Sequence, residues 1–497
     1  MTTTTAPAPP SPAPPRRRRT RRWIEDWRPE DARFWTERGH AVARRNLGWS
    51  IFAEHLGFSV WLIWSVSAAM LGASFGYTPQ ELFLLVAAPN LVGALIRVPY
   101  TFAVPRFGGR NWTVASSLLL LVPTLLFVVA VQDTSTPYWV MVLIAATAGL
   151  GGGNFASSMA NINAFYPADK KGAALGLNAA GGNIGVAVIQ FALPVIVGAA
   201  GVFGLVKASS GGIHLERAGW VYVALALLAA AGAWLFMDNL ATATASTRET
   251  AAVLRRRQTW VMSFLYIGTF GSFIGYSAAM PLLIKVNFSV LDPATNTVAG
   301  GINFVFYAFI GAAVGSVTRP FGGWLADRFG GARVTVASFV LMILGTAAVL
   351  WTLTRLTPNV AQSAAVADAN ASWFPAFLAF FVVVFAATGL GNGSAYRMIP
   401  AIWRREAELG TEPGSPEREL SVLAAVKESS AAVGIIGAAG ALGGFAIPMF
   451  FGAPWIDEPV AAVRTAFVVF IGYYLVCAAV CWAVYGRRGS TFGSARV

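Results

Sequence analysis

The chain has 497 residues, of which 56% are hydrophobic and only 12% are charged. A soluble domain carries about 25% charged residues, so half that share over this length cannot cover a water-facing surface. Its two Cys and three widely separated His exclude a disulfide scaffold and offer no cluster for a zinc or iron site. We therefore interpret the chain as a polytopic membrane protein with no metal and no cofactor.

Residues 1–46 precede the first long apolar stretch. The first fifteen residues are rich in Pro, Thr and Ala, which cannot bury a core, so we expect disorder there. A basic run follows, with Arg16–Arg19, Arg21 and Arg22, and it is typical of a tail that contacts anionic membrane lipids. The sequence predicts a partly disordered cytoplasmic tail over residues 1–46.

Twelve later stretches are apolar and long enough to cross a hydrocarbon core about 30 Å thick, which takes about 20 helical residues. Spans of a β-barrel would alternate in short segments of about 10 residues, and these stretches do not. The predicted fold is therefore all-α, with twelve transmembrane helices. They are expected near residues 47–72, 80–104, 111–131, 137–165, 173–200, 218–238, 259–285, 299–324, 333–354, 373–400, 421–451 and 463–485.

Lys and Arg are distributed very unequally between alternate loops. One set of loops, together with both tails, holds 28 of the 36 basic residues, and the opposite set holds Lys207, Arg217, Arg355 and Arg464. Because cytoplasmic loops are enriched in Lys and Arg, both termini are expected in the cytoplasm. The protein itself is expected in the cell (inner) membrane as a multi-pass protein. The net charge of +13 then reflects topology, and no nucleic-acid partner is expected.

The two halves of the chain resemble each other. An Arg stands nine residues before an Arg-Phe-Gly-Gly sequence in both, Arg97 before Arg106 and Arg319 before Arg328. GLGGGNF at 149–155 and FALP at 191–194 likewise return as GLGNGSA at 389–395 and FAIP at 445–448. We predict two pseudo-symmetric six-helix halves, 47–238 and 259–485, joined by a cytoplasmic linker over 239–258 and followed by a cytoplasmic tail over 486–497. Such halves enclose a substrate site at the midplane.

The segment GGWLADRFGGAR at 322–333 resembles the signature between the second and third helices of each half in major facilitator transporters. The resemblance implies that Asp327 and Arg328 form a charge relay that gates the two halves. The equivalent first-half segment has Pro105 in place of the acid.

Arg97 and Arg319 are predicted to lie near the middle of the membrane. Nine helical residues span about 13.5 Å, which is close to half the hydrocarbon thickness. A lone Arg at this depth costs from about 2.5 to more than 10 kcal/mol, so each needs a partner. Glu54 is the one acid well inside a predicted span, so the missing negative charge is most simply an anionic substrate. The alternative is that each Arg pairs with Glu54, Glu428 or helix carbonyls and only fixes packing.

The glycine run GLGGGN at 149–154 is not a dinucleotide loop, because that motif needs a preceding strand. We expect it inside an apolar helix, where small residues allow close helix approach. An enzyme is disfavoured because no nucleophile and base pair appears in the spans.

Several longer motifs resemble the nitrate/nitrite porter family of the major facilitator superfamily, the NarK group. They are DWRPEDARFW at 26–35, ALIRVPYTF at 94–102, QDTSTPYW at 132–139, GLGGGNFASSMANINAFYP at 149–167, TFGSFIGYSA at 269–278, GLGNGSAYRMI at 389–399 and CWAVYGR at 481–487. The resemblance implies a monomeric transporter of nitrate and nitrite with a role in nitrate assimilation. It also implies that Arg97 and Arg319 clamp the anion, with Phe155, Tyr266 and Phe270 as aromatic walls, Asn183 as a polar contact and Phe58 as a further wall. The chain departs from this pattern at Ala179 and Ala180, where the family has glycines. This difference affects how closely the helices can approach each other, and it does not change the expected substrate.

Two transport modes are open at this point. A site with two facing arginines resists reorientation when it is empty, which favours nitrate/nitrite antiport. Nitrate/proton symport is the alternative, with Glu54, which is followed by His55, as the titrating group. A remote alternative is an exchanger of another small or phosphorylated anion, and a non-transporting membrane sensor is a rival of a different class.

Overall fold

The computed structural model describes residues 22–71, 75–199, 212–241, 253–292, 297–359, 362–456, 458–493 and 497. Over these residues twelve helices are long and apolar enough to cross a membrane. We number them α1 to α12: Ala32–Met70, Pro79–Phe107, Gly109–Ala130, Tyr138–Phe165, Ala168–Ile196, Glu216–Phe236, Arg257–Phe288, Phe304–Phe329, Gly331–Leu353, Phe374–Leu409, Pro416–Phe451 and Pro459–Gly486. The predicted all-α membrane fold with twelve spans is confirmed.

The first helix begins at Ala32 rather than near residue 47. Its start is capped by the Asp31 side chain, which accepts hydrogen bonds from the backbone amides of Arg33 and Phe34. The last part of the predicted tail is therefore helical and continuous with the first span. Residues 1–21, which include all of the basic run except Arg22, and residues 242–252 of the predicted linker lie outside the described residues.

In the described part of the chain, four short strands accompany the helices. Strand β1 (Trp23–Ile24) pairs in parallel with β2 (Asn239–Leu240), and β3 (Ser289–Leu291) pairs antiparallel with β4 (Val298–Gly301). A short helix, Ala364–Ala371, lies between α9 and α10. The β1–β2 pair ties the segment before α1 to the end of α6, so the entry and exit of the first half meet at one end of the bundle.

The described ends of the chain lie at the same end of the bundle. The carbonyl of Val497 accepts a hydrogen bond from the Ala332 amide at the start of α9, and Gly108, before α3, lies against Trp23 and Asn239. We call this the terminal end and the opposite side the far end. An even number of spans puts both ends of the chain on one side of a membrane.

The repeated Arg-Phe-Gly-Gly sequence makes the same corner in both halves. Gly108 ends α2 with φ of +87°, and Gly330 ends α8 with φ of +91°. The amide of each donates to the carbonyl four residues earlier, Val104 or Ala326. Side chains are strained at such positive φ, so only glycine turns the chain here at no steric cost. This explains the strongest element of the internal repeat.

The two halves touch at the far end and separate towards the terminal end. At the far end Phe83 of α2 lies 6.0 Å from Phe451 of α11, measured between ring centroids. Gln190 of α5 donates to the carbonyl of Ser277 of α7 at 2.6 Å. Between the halves is a cavity of about 1500 Å³ that extends to the terminal end. The structure is thus closed at the far end and open at the terminal end.

Candidate anion-binding site

Arg97 of α2 is completely buried and firmly held. Its Nε donates to the carbonyl of Gly152 at 2.9 Å, and its Nη1 donates to the carbonyl of Gly437, in the other half, at 3.0 Å. Among the described residues its Nη2 has no hydrogen-bond partner. One edge of the guanidinium group is therefore fixed by backbone acceptors, and one nitrogen still has hydrogens to donate.

The acceptor Gly152 depends on an irregular stretch of α4. The glycine run lies inside the apolar span Tyr138–Phe165, as expected, but residues Ala148–Gly153 form a 3₁₀ helix before the α-helix resumes at Asn154. A Cβ at Gly152 would lie 2.9 Å from Cα of Gly93 and from the Trp61 ring. The glycines let α4 approach α2 so closely that a carbonyl of one reaches the arginine of the other.

Four aromatic rings surround the Arg97 guanidinium carbon. Its distances to the ring centroids are 5.9 Å for Phe58, 5.1 Å for Trp61, 4.9 Å for Phe155 and 4.9 Å for Phe270. Rings at this range stabilise a desolvated cation by up to about 2 kcal/mol each. Trp61 was not predicted from the sequence, although it stands one helical turn after Phe58.

Arg319 of α8 is held far less tightly. Its Nη2 donates to the Tyr266 hydroxyl over a long 3.5 Å, and its Nη1 has no partner among the described residues. Its guanidinium carbon lies 5.6 Å from the Phe155 ring centroid and 5.4 Å from that of Tyr396. Arg319 lines the central cavity, which Arg97 does not reach. Tyr396 was also missed, although it belongs to the GLGNGSAYRMI motif.

Phe155 links the two arginines, since its ring lies beside both guanidinium groups. It stacks on Phe270 at 6.2 Å, and Phe270 stacks on Tyr266 at 5.4 Å. Phe58 meets Phe155 edge-on at 6.1 Å. Six of the seven predicted binding residues thus form one cluster: Arg97, Arg319, Phe58, Phe155, Tyr266 and Phe270.

Within the described residues, no hydrogen bond connects Asn183 to this cluster. It lies on α5 and is buried, and both polar atoms of its side chain lack hydrogen-bond partners within the described part of the chain. A buried amide without partners is costly, so its position is compatible with a polar ligand or water nearby. Its assignment as a substrate contact stays a prediction.

Among the residues that the structure describes, no carboxylate forms an ion pair with either arginine. Within the described residues, no carboxylate oxygen lies within 4.0 Å of a guanidinium nitrogen of Arg97 or Arg319. Glu428, which was a candidate partner, is engaged elsewhere and pairs with Arg256 at 2.5 Å. The alternative in which each Arg only fixes packing therefore holds only in part, because backbone carbonyls accept hydrogen bonds from only one edge of the Arg97 guanidinium group.

Glu54 of α1 is an ionisable neighbour of the cluster. It is fully buried, and its Oε2 accepts from the Asn178 amide at 2.6 Å, while Oε1 has no partner among the described residues. It interacts electrostatically with both Arg97 and Arg319 without touching them. His55, the next residue, faces elsewhere, with its Nδ1 3.2 Å from the Gly181 carbonyl oxygen.

Asp327 and Arg328 contact different partners. Arg397 of α10 donates to Asp327 at 2.6 Å, and Arg328 lies over the Trp324 ring at 4.3 Å. Consecutive residues of a helix point in different directions, which is why the predicted neighbours meet different partners. The observed ion pair joins α8 to α10 within the second half, and the relay between the halves stays a prediction.

The sequence is similar to those of known membrane transporters. Residues 55–398 match the Major Facilitator Superfamily. The nitrate/nitrite transporter NarU of Escherichia coli (strain K12) is 38% identical over 473 residues, which cover 94% of this chain and 96% of NarU. The chain belongs to the nitrate/nitrite porter family of the major facilitator superfamily. It is therefore a multi-pass membrane transporter and not an enzyme, as the sequence predicted.

Further similarities agree with this membership. The probable nitrate/nitrite antiporter NarK2 of Thermus thermophilus is 36% identical over 395 residues, covering 77% of this chain and 83% of that protein. Among solved structures, a D-xylose-proton symporter superposes with a TM-score of 0.59 at 13% identity, covering 89% of this chain and 97% of the symporter. At so low an identity this likeness concerns the fold alone.

Proposed function

We propose that the protein transports nitrate and nitrite across the cell membrane by exchanging one anion for the other. The anion is held between Arg97 and Arg319 in alternating-access states. The observation that carries this proposal is the pair of buried guanidinium groups, each with a nitrogen that lacks an acceptor among the described residues. The names of the similar nitrate/nitrite transporters support the choice of anion.

The chemistry of the cluster suits a small planar oxyanion. A guanidinium group donates in a flat fork that matches nitrate or nitrite oxygens, and it stays protonated at all working pH values. The rings of Phe155, Phe270 and Tyr266 are buried beside the guanidinium groups, so hydrogen bonds to a bound anion form in a medium of lower dielectric constant than water. A remote alternative, a small phosphorylated anion, is tested by competition with a phosphate monoester.

Exchange follows from the electrostatics of the empty site. Two unneutralised guanidinium groups repel each other and resist passage through a closed, dry intermediate. A bound anion supplies the missing charge and lowers that barrier, so the loaded carrier reorients faster than the empty one. Transport in one direction then depends on an anion returning from the other side.

The terminal end is proposed to face the cytoplasm, because the loops on that side carry most of the Lys and Arg. In this orientation the structure is open to the inside, since the cavity leads from the terminal end to Arg319. Nitrite from the cytoplasm would meet Arg319 and Phe155 first. The working unit is proposed to be a monomer, since one chain contains the whole cluster.

Proteoliposomes test the proposal. Vesicles loaded with nitrite should take up labelled nitrate much faster than vesicles loaded with buffer, with no accompanying proton current. Equal uptake by both kinds of vesicle would contradict obligatory exchange. Vesicles loaded with chloride at the same concentration control for osmotic and charge effects.

Nitrate/proton symport is the second candidate, and the buried Glu54 carboxyl group favours it. Glu54 lies within electrostatic reach of both arginines, so its charge state would change the field at the site. In the symport mechanism, Glu54→Gln abolishes uptake driven by an acidic exterior and leaves nitrate/nitrite exchange intact. Uptake driven by pH that is equal in wild type and variant would remove Glu54 from this role, and His55→Gln serves as the matched control.

A further inference from the structure

A groove of about 670 Å³ lies on the outer surface of the first half, between α1 and α6. It is distant from the central cavity, and the two share no lining residue. Its rim towards the terminal end is basic, with His40, Arg44 and Arg45, and its floor is apolar. Nothing in the transport mechanism uses these residues.

The basic rim has more positive charge than its neighbours neutralise. Arg45 pairs with Asp238 at 2.6 Å, and Arg22 approaches the same carboxylate at 3.7 Å. Within the described residues no carboxylate oxygen lies within 4.0 Å of Arg44. Arg44 and His40 are both exposed, so the rim presents a guanidinium and an imidazole group to an outside ligand.

The shape of the groove floor depends on the ring of Trp49 and on two glycines, Gly48 and Gly232. Trp49 stacks on Phe236 at 5.5 Å with an interplanar angle of 7°, and its ring covers Gly232, where a Cβ would lie 1.9 Å away. Beside it Gly48 opens onto free space, since a Cβ there would meet no atom within 4 Å. Phe52 and the exposed Leu228 continue the apolar surface away from the terminal end.

The distance between rim and floor fits a phospholipid. From Arg44 to Phe52 the chain advances eight helical residues, or about 12 Å along the helix axis. Arg44 lies near the terminal end, beside the end of α6, where a span leaves the membrane. A phosphate at the rim and an acyl chain on the floor would therefore occupy their natural depths in one leaflet.

We propose that this groove binds one anionic phospholipid, with its phosphate on Arg44 and His40 and an acyl chain along Gly48, Phe52 and Leu228. An anionic headgroup is favoured over a zwitterionic one because Asp238 neutralises Arg45 but no carboxylate among the described residues lies within 4.0 Å of Arg44. The bound lipid joins α1 to α6, the first and last helices of the first half.

Native mass spectrometry of the full-length protein in detergent tests this proposal with phosphatidylglycerol and phosphatidylcholine of identical acyl chains. We expect wild type to prefer phosphatidylglycerol by at least about tenfold, and Arg44→Gln to lower that affinity about tenfold through the loss of charge-assisted hydrogen bonds. Arg333→Gln is the matched control, because Arg333 is an exposed Arg at the same end of the second half. Equal losses in the two variants, or no preference in wild type, would overturn the proposal.

A second variant tests the floor without changing any charge. Gly48→Leu fills the groove, so we expect weaker phosphatidylglycerol binding with an unchanged melting temperature in lipid-free detergent. Inorganic phosphate is the probe for a site that recognises phosphate alone, and it should not raise the melting temperature as phosphatidylglycerol does. Unaltered lipid binding by Gly48→Leu, or equal protection by inorganic phosphate, would show that no acyl chain lies in the groove.

Discussion

Arg97 and Arg319 occupy equivalent positions in the two halves but have very different surroundings. Arg97 is tied to two carbonyl groups, surrounded by four rings and shut off from the central cavity. Arg319 has one long hydrogen bond to Tyr266 and lines the cavity. The pair therefore consists of a fixed cation in the first half and an accessible cation in the second.

The difference originates in one pair of repeated motifs. Gly152 in GLGGGNF corresponds to Asn392 in GLGNGSA, and Phe155 corresponds to Ala395. The first motif includes a 3₁₀ stretch whose Gly152 carbonyl accepts from Arg97, whereas the second lies within the uninterrupted helix Phe374–Leu409. The second half has no ring at the Phe155 position, so one phenyl group serves both arginines. The two halves thus keep an arginine at the equivalent position, while the groups that contact each arginine differ.

The largest effect is expected from lysine at each arginine. Arg97→Lys leaves the Gly152 and Gly437 carbonyls without their guanidinium donor, and losing two charge-assisted bonds of about 1.5–3 kcal/mol each lowers kcat/KM for nitrate by at least about a hundredfold. Arg319→Lys loses one long bond and should cost about tenfold. Uptake into nitrite-loaded vesicles measures both, with Arg333→Lys as the control, and equal losses would show that the two arginines are equivalent.

An intermediate effect is expected when a methyl group is added between α2 and α4. Gly152→Ala places a Cβ 2.9 Å from Gly93 Cα and from Trp61, so α4 must move away and its carbonyl must leave Arg97. We expect a loss of about thirtyfold in kcat/KM and a lower melting temperature. Gly176→Ala is the matched control, because a Cβ there meets nothing within 4 Å. Normal transport by Gly152→Ala would show that the carbonyl contact is dispensable.

The smallest effect distinguishes the shared ring from a ring that serves one arginine. Phe155→Leu removes an aromatic face from both guanidinium groups, while Phe58→Leu removes one from Arg97 alone. At about 0.5–2 kcal/mol per contact, KM for nitrate should rise about tenfold in the first variant and about threefold in the second. A larger rise in Phe58→Leu would mean that Phe155 does not link the two sites.

Much of the site could be predicted because it depends on depth along single helices. The position nine residues from each Arg-Phe-Gly-Gly corner fixed the height of Arg97 and Arg319, and Glu54 stood out as an acid inside a span. Trp61 and Tyr396 could not be found in this way, since their contact with a guanidinium depends on how two helices face each other. The partner of Asp327 was missed for the same reason, because Arg397 lies 70 residues away on another helix.

The amino-acid sequence alone determined the membrane-spanning class, the number of spans, the duplication and the two deep cations. These properties follow from hydrocarbon thickness and helix rise, which act on each segment separately. Tertiary structure alone decided that α4 changes to a 3₁₀ helix, that its carbonyl holds Arg97, and that one ring serves both arginines. Such features arise where helices press together, because packing distance selects which donors, acceptors and rings meet.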